Sequence, residues 1–290
     1  MTSNQPEATI EPTPPPSRAR LYTLIATQNQ NILFPFLIES NSRLRESITS
    51  STLYDHTEPL PPPYPPLSES DSDVILKTPI HVISADSLDL AEELSRVGKR
   101  DVVVLNMANA VTPGGKYLEG TSAQEEALCR RSTLYLTIDK NRKFHPIPNH
   151  GAIYSPDVLV IRKSDEEECA LLAPDERWWT SMISVAALRR PPLNSNGDDF
   201  ANRRDSEDTM ERIRTLLRVA VYEGQRNLVL GALGCGAFGN PSKAVANLFK
   251  LVLQEMEFKG RFEGIWFAIL DNDGKQNYKI FKEVLDNIEI

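Results

Sequence analysis

Glycine is missing from the first third of this chain. The first is Gly98, and only 14 occur among 290 residues, against 21 prolines. Ordinary usage runs the other way, roughly 7% glycine to 5% proline. Cysteine is scarce too. Cys129, Cys169 and Cys235 are odd in number and widely spaced, which excludes a disulfide framework and a zinc pattern. Four scattered histidines, His56, His81, His145 and His150, make no metal site. Apolar runs such as Leu228–Leu233 are too short to span a bilayer, so no membrane partner is expected. A basic face is also lacking. The formal charge of −8 and pI near 5.2 argue against direct DNA binding by counterion release. The N-terminus lacks the apolar core of a signal peptide. The expected setting is therefore intracellular, cytoplasmic or nuclear, and reducing.

What is present is unevenly distributed. Twelve prolines precede residue 67, whereas seven glycines crowd into the windows 114–120 and 231–239. This contrast predicts a tethered arm and one globular domain. Residues 1–17 read as a disordered tail and 59–72 as a proline-rich linker. The tract Pro59–Pro66 reads as a spacer or, alternatively, as a ligand for SH3 or WW domains. Between tail and linker, residues 18–58 read as an N-terminal helical extension. Its apolar positions are Leu21, Leu24, Ile25, Ile32, Leu33 and Leu44, with a break expected at Pro35.

From residue 73 strands and helices alternate. Strands are predicted at Ile80–Ser84, Val102–Leu105, Gly151–Tyr154, Val158–Arg162, Thr180–Val185, Asn227–Leu230 and Gly264–Leu270. Helices are predicted after Asp86 up to Gly98, near 124–136, over Ser206–Glu223, from Pro241, and over Tyr278–Ile288. The order implies an α/β fold with a mixed, mainly parallel sheet and helices on both faces. Ligands of such folds bind beyond the carboxyl ends of the strands. Both glycine windows fall there.

The later window, Gly231–Pro241, follows a buried strand and leads into a helix, with Asn240 as the expected N-cap. Free amides and the helix dipole suit a diphosphate, although a tight turn would use the same residues. Gly234, Gly236 and Gly239 also match the dinucleotide fingerprint literally. The helix start after Gly239 rejects that match, as do the position of Glu255 and Glu257 at a helix end and the late place of the strand.

The earlier window carries more chemistry. It holds Asn106, Asn109, Gly114, Gly115 and Lys116, then Gln124-Glu125-Glu126 at the start of a helix. Asn side chains can bond ribose hydroxyls, and adjacent glycines permit close backbone approach. Paired carboxylates can divide orientation and proton donation between them. A bland alternative is a first helical turn made acidic by the dipole.

Pro113-Gly114-Gly115, with Gln124-Glu125-Glu126 eight residues further on, resembles the signature of poly(ADP-ribose) glycohydrolases. Gly231–Pro241 is similar to the diphosphate loop of their microbial-type branch, and Gly151–Asp157 and Ile183–Pro191 resemble other stretches of it. The resemblance runs from about residue 80 onward. It implies a macrodomain-like three-layer α/β/α fold and makes residues 73–290 the catalytic domain. It implies hydrolysis of ribose–ribose O-glycosidic bonds in poly(ADP-ribose), releasing ADP-ribose. Glu126 would be the general acid/base and Glu125 would hold ribose hydroxyls. Gln124 would support the pair, and Asn109 would bind the distal ribose. Gly234, Cys235, Gly236, Ala237 and Phe238 would wrap the diphosphate, with Phe238 against the distal ribose. Asp86 would read the adenine amino group, or serve only as a helix cap. The implied partner is ADP-ribose or its polymer on modified proteins, met by a monomer with no metal and no cofactor.

Two positions depart from the family pattern. Lys116 replaces the third glycine, and Thr112 stands where microbial members usually have Asn. Lys116 either reaches the diphosphate or obstructs the backbone there. Obstruction would leave a catalytically weakened ADP-ribose reader, the alternative reading. A third reading uses the N-terminal arm as an interaction scaffold.

Overall fold

The computed structural model describes residues 17–55, 77–140, 142–271 and 274–290. The expected tail up to residue 16 and the proline-rich linker lie outside them. The chain opens with helices α1 (Arg18–Gln28), α2 (Phe34–Ser40) and α3 (Ser42–Ser50) and a short strand β1 (Thr52–Tyr54). Then come β2 (Pro79–Ile83), α4 (Ser87–Arg96), β3 (Val102–Met107), α5 (Gln124–Arg131), α6 (Leu134–Lys140), β4 (Ala152–Val160) and β5 (Trp178–Val185). The remainder is α7 (Arg203–Tyr222), β6 (Asn227–Leu230), α8 (Ser242–Leu253), β7 (Gly264–Ala268), α9 (Asn277–Leu285) and β8 (Ile288–Glu289).

All eight of these strands form one sheet in the order β1-β4-β5-β3-β6-β7-β2-β8. The five central strands, β5-β3-β6-β7-β2, are parallel. Antiparallel β1 and β4 extend one edge and β8 the other. The mixed, mainly parallel α/β sheet read from the sequence is therefore the observed one. β3 is a continuous Val-Val-Val-Leu run because both of its faces are covered. Val103 and Leu105 pack with α7, α8 and α9 through Ile213, Leu217, Val245, Phe249 and Phe281. Val102 and Val104 face the other way, toward Leu88 of α4, Leu128 of α5 and Leu134 of α6. Alternation along a single strand thus builds the three layers.

The N-terminal segment is no detached arm. Ala26, Phe34, Leu37, Leu44 and Ile48 are buried in the same apolar cluster as Leu88 and Val104. Burying a Leu, Ile or Phe stabilises by about 1.5–3 kcal/mol each, so this segment contributes substantially to the domain. β1 adds itself to the sheet edge, pairing Thr52 with Tyr154. The expected break at Pro35 is absent as well. Helix runs from Arg18 to Ser40 through a π-helical turn, Asn29–Leu33, and Pro35 lies in the first turn after it. The wider turn moves the preceding carbonyl away from the proline ring, so the clash that breaks an α-helix is avoided. The break falls at Asn41, whose side chain caps α3 through the Leu44 amide.

Other differences are local. The predicted strands at Gly151–Tyr154 and Val158–Arg162 are one strand, β4, with a bulge between Ser155 and Val158. The predicted helix near 124–136 is two helices, because Ser132 leaves the helix to bridge Val160. The closing helix stops at Leu285, and Ile288 then pairs with Ile80. Among the described residues, no helix is long and apolar enough to cross a membrane.

Candidate active site

β3 and β6 are parallel neighbours, so the loops that leave their carboxyl ends emerge side by side. These are the two glycine windows. Gly231, at the exit of β6, already faces the Met107 side chain at the exit of β3.

Gln124 joins the first loop to the sheet. Its Oε1 accepts from the Met107 amide at 2.9 Å, and its Nε2 donates to the Leu105 carbonyl at 2.7 Å. One side chain thereby satisfies two backbone groups of the strand and fixes the first turn of α5 over it. Glu125 and Glu126 follow at once, 3% and 7% exposed. Glu125 accepts from the Asn109 amide at 2.7 Å through Oε2 and from Asn106 Nδ2 at 3.4 Å through Oε1. Glu126 accepts from the Lys116 amide at 2.9 Å through Oε1, while its Oε2 accepts none among the described residues.

The glycines explain how the loop comes so near. Gly115 has φ +57, and a Cβ there would stand 2.5 Å from Glu126 Oε1. Gly114 has φ +68, and its Cβ would meet the Tyr135 ring at 2.8 Å. Lys116 is different. Its φ of −106 suits any residue, and its side chain is exposed beside Glu119, with Nζ 3.3 Å from that carboxylate. The third glycine of the family pattern is therefore not needed for the backbone path seen here. Only the Lys116 amide faces the carboxylates.

Burial pushes the Glu125 carboxyl up to about 8, and the neighbouring Glu126 carboxylate adds to the rise. The amides of Asn109 and Gly114 and the side chain of Asn106 pull the other way without overcoming it. A lone helix dipole would have lowered the value. Desolvation wins.

Asn106 itself is wholly buried. Its Nδ2 also donates to Ser184 Oγ at 2.9 Å, on neighbouring β5. It backs Glu125 through Nδ2, and its Oδ1 has no hydrogen-bond partner among the described residues. Asn109 Oδ1 accepts from the amides of Val111 and Thr112, which closes the turn that presents the Asn109 amide to Glu125.

The second loop is held from beneath. Gly234 has φ +74 and touches Ala187 and Asn240 where a Cβ would be. Asn240 is not the expected N-cap. Pro241 occupies that place, and Asn240 Nδ2 donates to the carbonyls of Leu188 and Gly234. Its side chain is drawn under the loop because two buried carbonyls there need a donor. The Phe238 carbonyl accepts from the Arg190 amide at 2.7 Å, and Lys275 Nζ donates to the Gly236 carbonyl at 2.7 Å. Cys235 is buried, and burial pushes its thiol up to about 12. Gly236, Ala237, Phe238 and Gly239 stand at the more open end of the loop.

Asp86 caps α4, accepting from the Leu88 amide at 2.7 Å, and also pairs with Arg131. The capping role is realised. Ser184, Lys275 and the under-loop role of Asn240 were not anticipated from the sequence; a polar residue inside an apolar strand was the one available signal, for Ser184.

Residues 37–163 match the family model described as the microbial-type PARG catalytic domain. That segment contains the first loop and Gln124-Glu125-Glu126, and the second loop lies beyond it. Among solved structures, the chain is similar to poly(ADP-ribose) glycohydrolase from Thermomonospora curvata, with 25% identity and a TM-score of 0.75 over 91% of this chain and 99% of that one. The same protein bound to the inhibitor ADP-HPD gives 26% identity and a TM-score of 0.70 over the same shares. Poly(ADP-ribose) glycohydrolase from Deinococcus radiodurans in complex with ADP-ribose gives 28% and 0.65 over 84% of this chain and 97% of that one. A comparison with curated proteins finds no match. The likeness to the microbial-type model thus runs over residues 37–163, and the likeness in fold to solved poly(ADP-ribose) glycohydrolases over 91% of the chain.

Proposed function

We infer that the chain hydrolyses ribose–ribose O-glycosidic bonds in poly(ADP-ribose) and releases ADP-ribose. The observation that carries this reading is the buried Glu125-Glu126 pair gripped by amides of a glycine loop. It stands beside a second glycine loop at the mouth of the next strand.

Placement divides the roles. Glu125 is engaged through both oxygens, whereas Glu126 keeps Oε2 for a ligand. Glu126 is therefore assigned the general acid/base. Its carboxyl donates a proton to the leaving ribose oxygen as the glycosidic C–O bond breaks. The resulting carboxylate takes a proton from the water that adds to the oxocarbenium-like carbon. Glu125, with its carboxyl raised to about 8, stays largely neutral at pH 7 and offers a hydroxyl hydrogen to ribose oxygens. Neutrality also spares an anionic diphosphate a nearby negative charge from Glu125.

The amides of Gly234–Phe238 are assigned to the diphosphate, with the Phe238 ring against the distal ribose. Asn109 is assigned to the distal ribose and Asp86 to the adenine end. The proposed partner is ADP-ribose polymer on modified proteins in an intracellular setting, met by a monomer without direct DNA contact. The exposed, normally twisted Lys116 supports turnover over the reader alternative, since it does not obstruct the loop.

The test is ADP-ribose release from an automodified polymerase. Wild type releases it, and Glu126→Ala loses roughly 10²–10⁴-fold in rate while still binding ADP-ribose. A wild type that binds ADP-ribose without releasing any would make the chain a reader.

A further inference from the structure

Asn29 lies outside the segment matched by the family model, yet it is wholly buried. Such an amide needs partners, and it has three. Its Nδ2 donates to the Tyr117 hydroxyl at 3.2 Å and to the Arg130 carbonyl at 2.9 Å. Its Oδ1 accepts from Arg162 Nε at 3.0 Å. Arg162 in turn donates to Gln28 Oε1 at 2.7 Å and to the Cys169 carbonyl at 3.0 Å.

Two of these partners belong to the catalytic apparatus. Arg130 is in α5, four residues after Glu126. Tyr117 directly follows Lys116, and its amide donates to the Gly114 carbonyl at 3.0 Å. Its ring lies 5.0 Å from that of Tyr135, tilted by 44°, and the Tyr135 ring is the one that excludes a side chain at Gly114. The other end of the loop is fastened to the same N-terminal helix. At Gly120, φ +80, a Cβ would collide with the Ala19 carbonyl. Arg130 closes the circuit: it donates to the Thr121 carbonyl at 2.5 Å and lies 3.8 Å over the Tyr22 ring.

We propose that Asn29 is a positioning residue for the hydrolysis, locking the Gly114–Tyr117 loop to α5 so that the Lys116 amide meets Glu126. The π-helical turn that begins at Asn29 aims its side chain at the loop from an otherwise ordinary helix. The inference rests on the assigned reaction. Displacing a reacting group by about 1 Å can cost roughly 10²-fold in rate, so loosening this lock should register in turnover.

The test uses the full chain. Asn29→Leu keeps the number of side-chain heavy atoms, with bulkier methyl groups, and removes the three hydrogen bonds. We expect kcat on poly(ADP-ribose) to fall roughly ten- to a hundredfold, with KM within about threefold. We also expect the pH–rate limb set by the carboxylate pair to move upward, because loop amides that favour the ionised form are lost. A role in folding alone would lower Tm and leave kcat per ADP-ribose-binding molecule and the pH profile unchanged; that result overturns the proposal. Tyr117→Phe removes one hydroxyl and nothing from the core. It should lower kcat severalfold and add little to Asn29→Leu in the double variant. Should Asn29→Leu fail to fold, unchanged kcat in Tyr117→Phe overturns the proposal by itself. An inactive wild type would instead overturn the assigned reaction.

Discussion

The two glycine loops leave neighbouring strands and use glycine for opposite reasons. In the loop 114–120 each glycine has a left-handed φ, and each would drive a Cβ into the protein itself: Tyr135, Glu126 Oε1 and the Ala19 carbonyl, in chain order. In the loop 231–239, Gly236 and Gly239 have nothing within 4 Å of the corresponding position. Gly234, wedged against Ala187 and Asn240, and Gly231, beside the Met107 side chain, are the exceptions. The first loop is thus fitted to its own carboxylates. The second is fitted at its root and open at its tip, where a ligand's phosphates would come close to bare backbone.

Substitution at Gly115 should break this contrast most severely. Gly115→Ala places a methyl against both carboxylates, 2.5 Å from Glu126 Oε1 and 3.2 Å from Glu125 Oε2. The left-handed backbone alone costs an Ala about 1–2 kcal/mol. Turnover should fall roughly 10²-fold through the displaced carboxylates, read as kcat beside a Tm measurement. Wild-type kcat in this variant would mean that the loop need not touch the pair.

The contrast also predicts where pH dependence resides. Glu125 rises from 4.5 to about 8 on folding, so the folded state holds a proton that the unfolded state releases. Stability from this group is complete below about pH 4.5 and is lost as pH rises through about 8. Glu125→Gln should therefore flatten the fall in urea midpoint between about pH 5 and about pH 9. An equal fall in wild type and variant would locate the titration elsewhere.

A gentler change probes the other loop. Gly236→Ala adds a methyl in open space, so stability should stay within about 0.5 kcal/mol of wild type. If the diphosphate lies on this backbone, ADP-ribose affinity should drop roughly tenfold by calorimetry, about 1.4 kcal/mol. Unchanged affinity would remove the tip of the loop from the binding site.

These differences also mark how far the sequence could be read. β6 was legible to the residue because Asn227–Leu230 is an apolar run bounded by Gly224 and Gly231. α4 was legible from its Asp86 cap and its stop at Gly98. The Gln124-Glu125-Glu126 triplet and both glycine windows could be recognised as a pattern. The fitting of one loop could not. The partners of Asn29 stand 88, 101 and 133 residues away, and contacts of that range leave no local period. The packing of α1–α3 against the sheet was hidden for the same reason. Asn240 misled because a cap and an under-loop donor use the same residue type at the same place.

Lys116 supplies the smallest and most discriminating test of the contrast. If the first loop were built like the tip of the second, restoring the family's glycine would open a ligand path and raise turnover. The geometry gives the opposite expectation. The Lys116 side chain points away from the carboxylates toward Glu119, an exposed pair of the kind worth about 0–1 kcal/mol. The part that matters is its amide, which Gly would keep. Lys116→Gly should therefore leave kcat and KM within about twofold of wild type and stability within about 1 kcal/mol, with any loss due to added chain freedom. A rise in kcat of roughly tenfold would show that the lysine does obstruct the site, and that the first loop, like the second, must be bare where the ligand meets it.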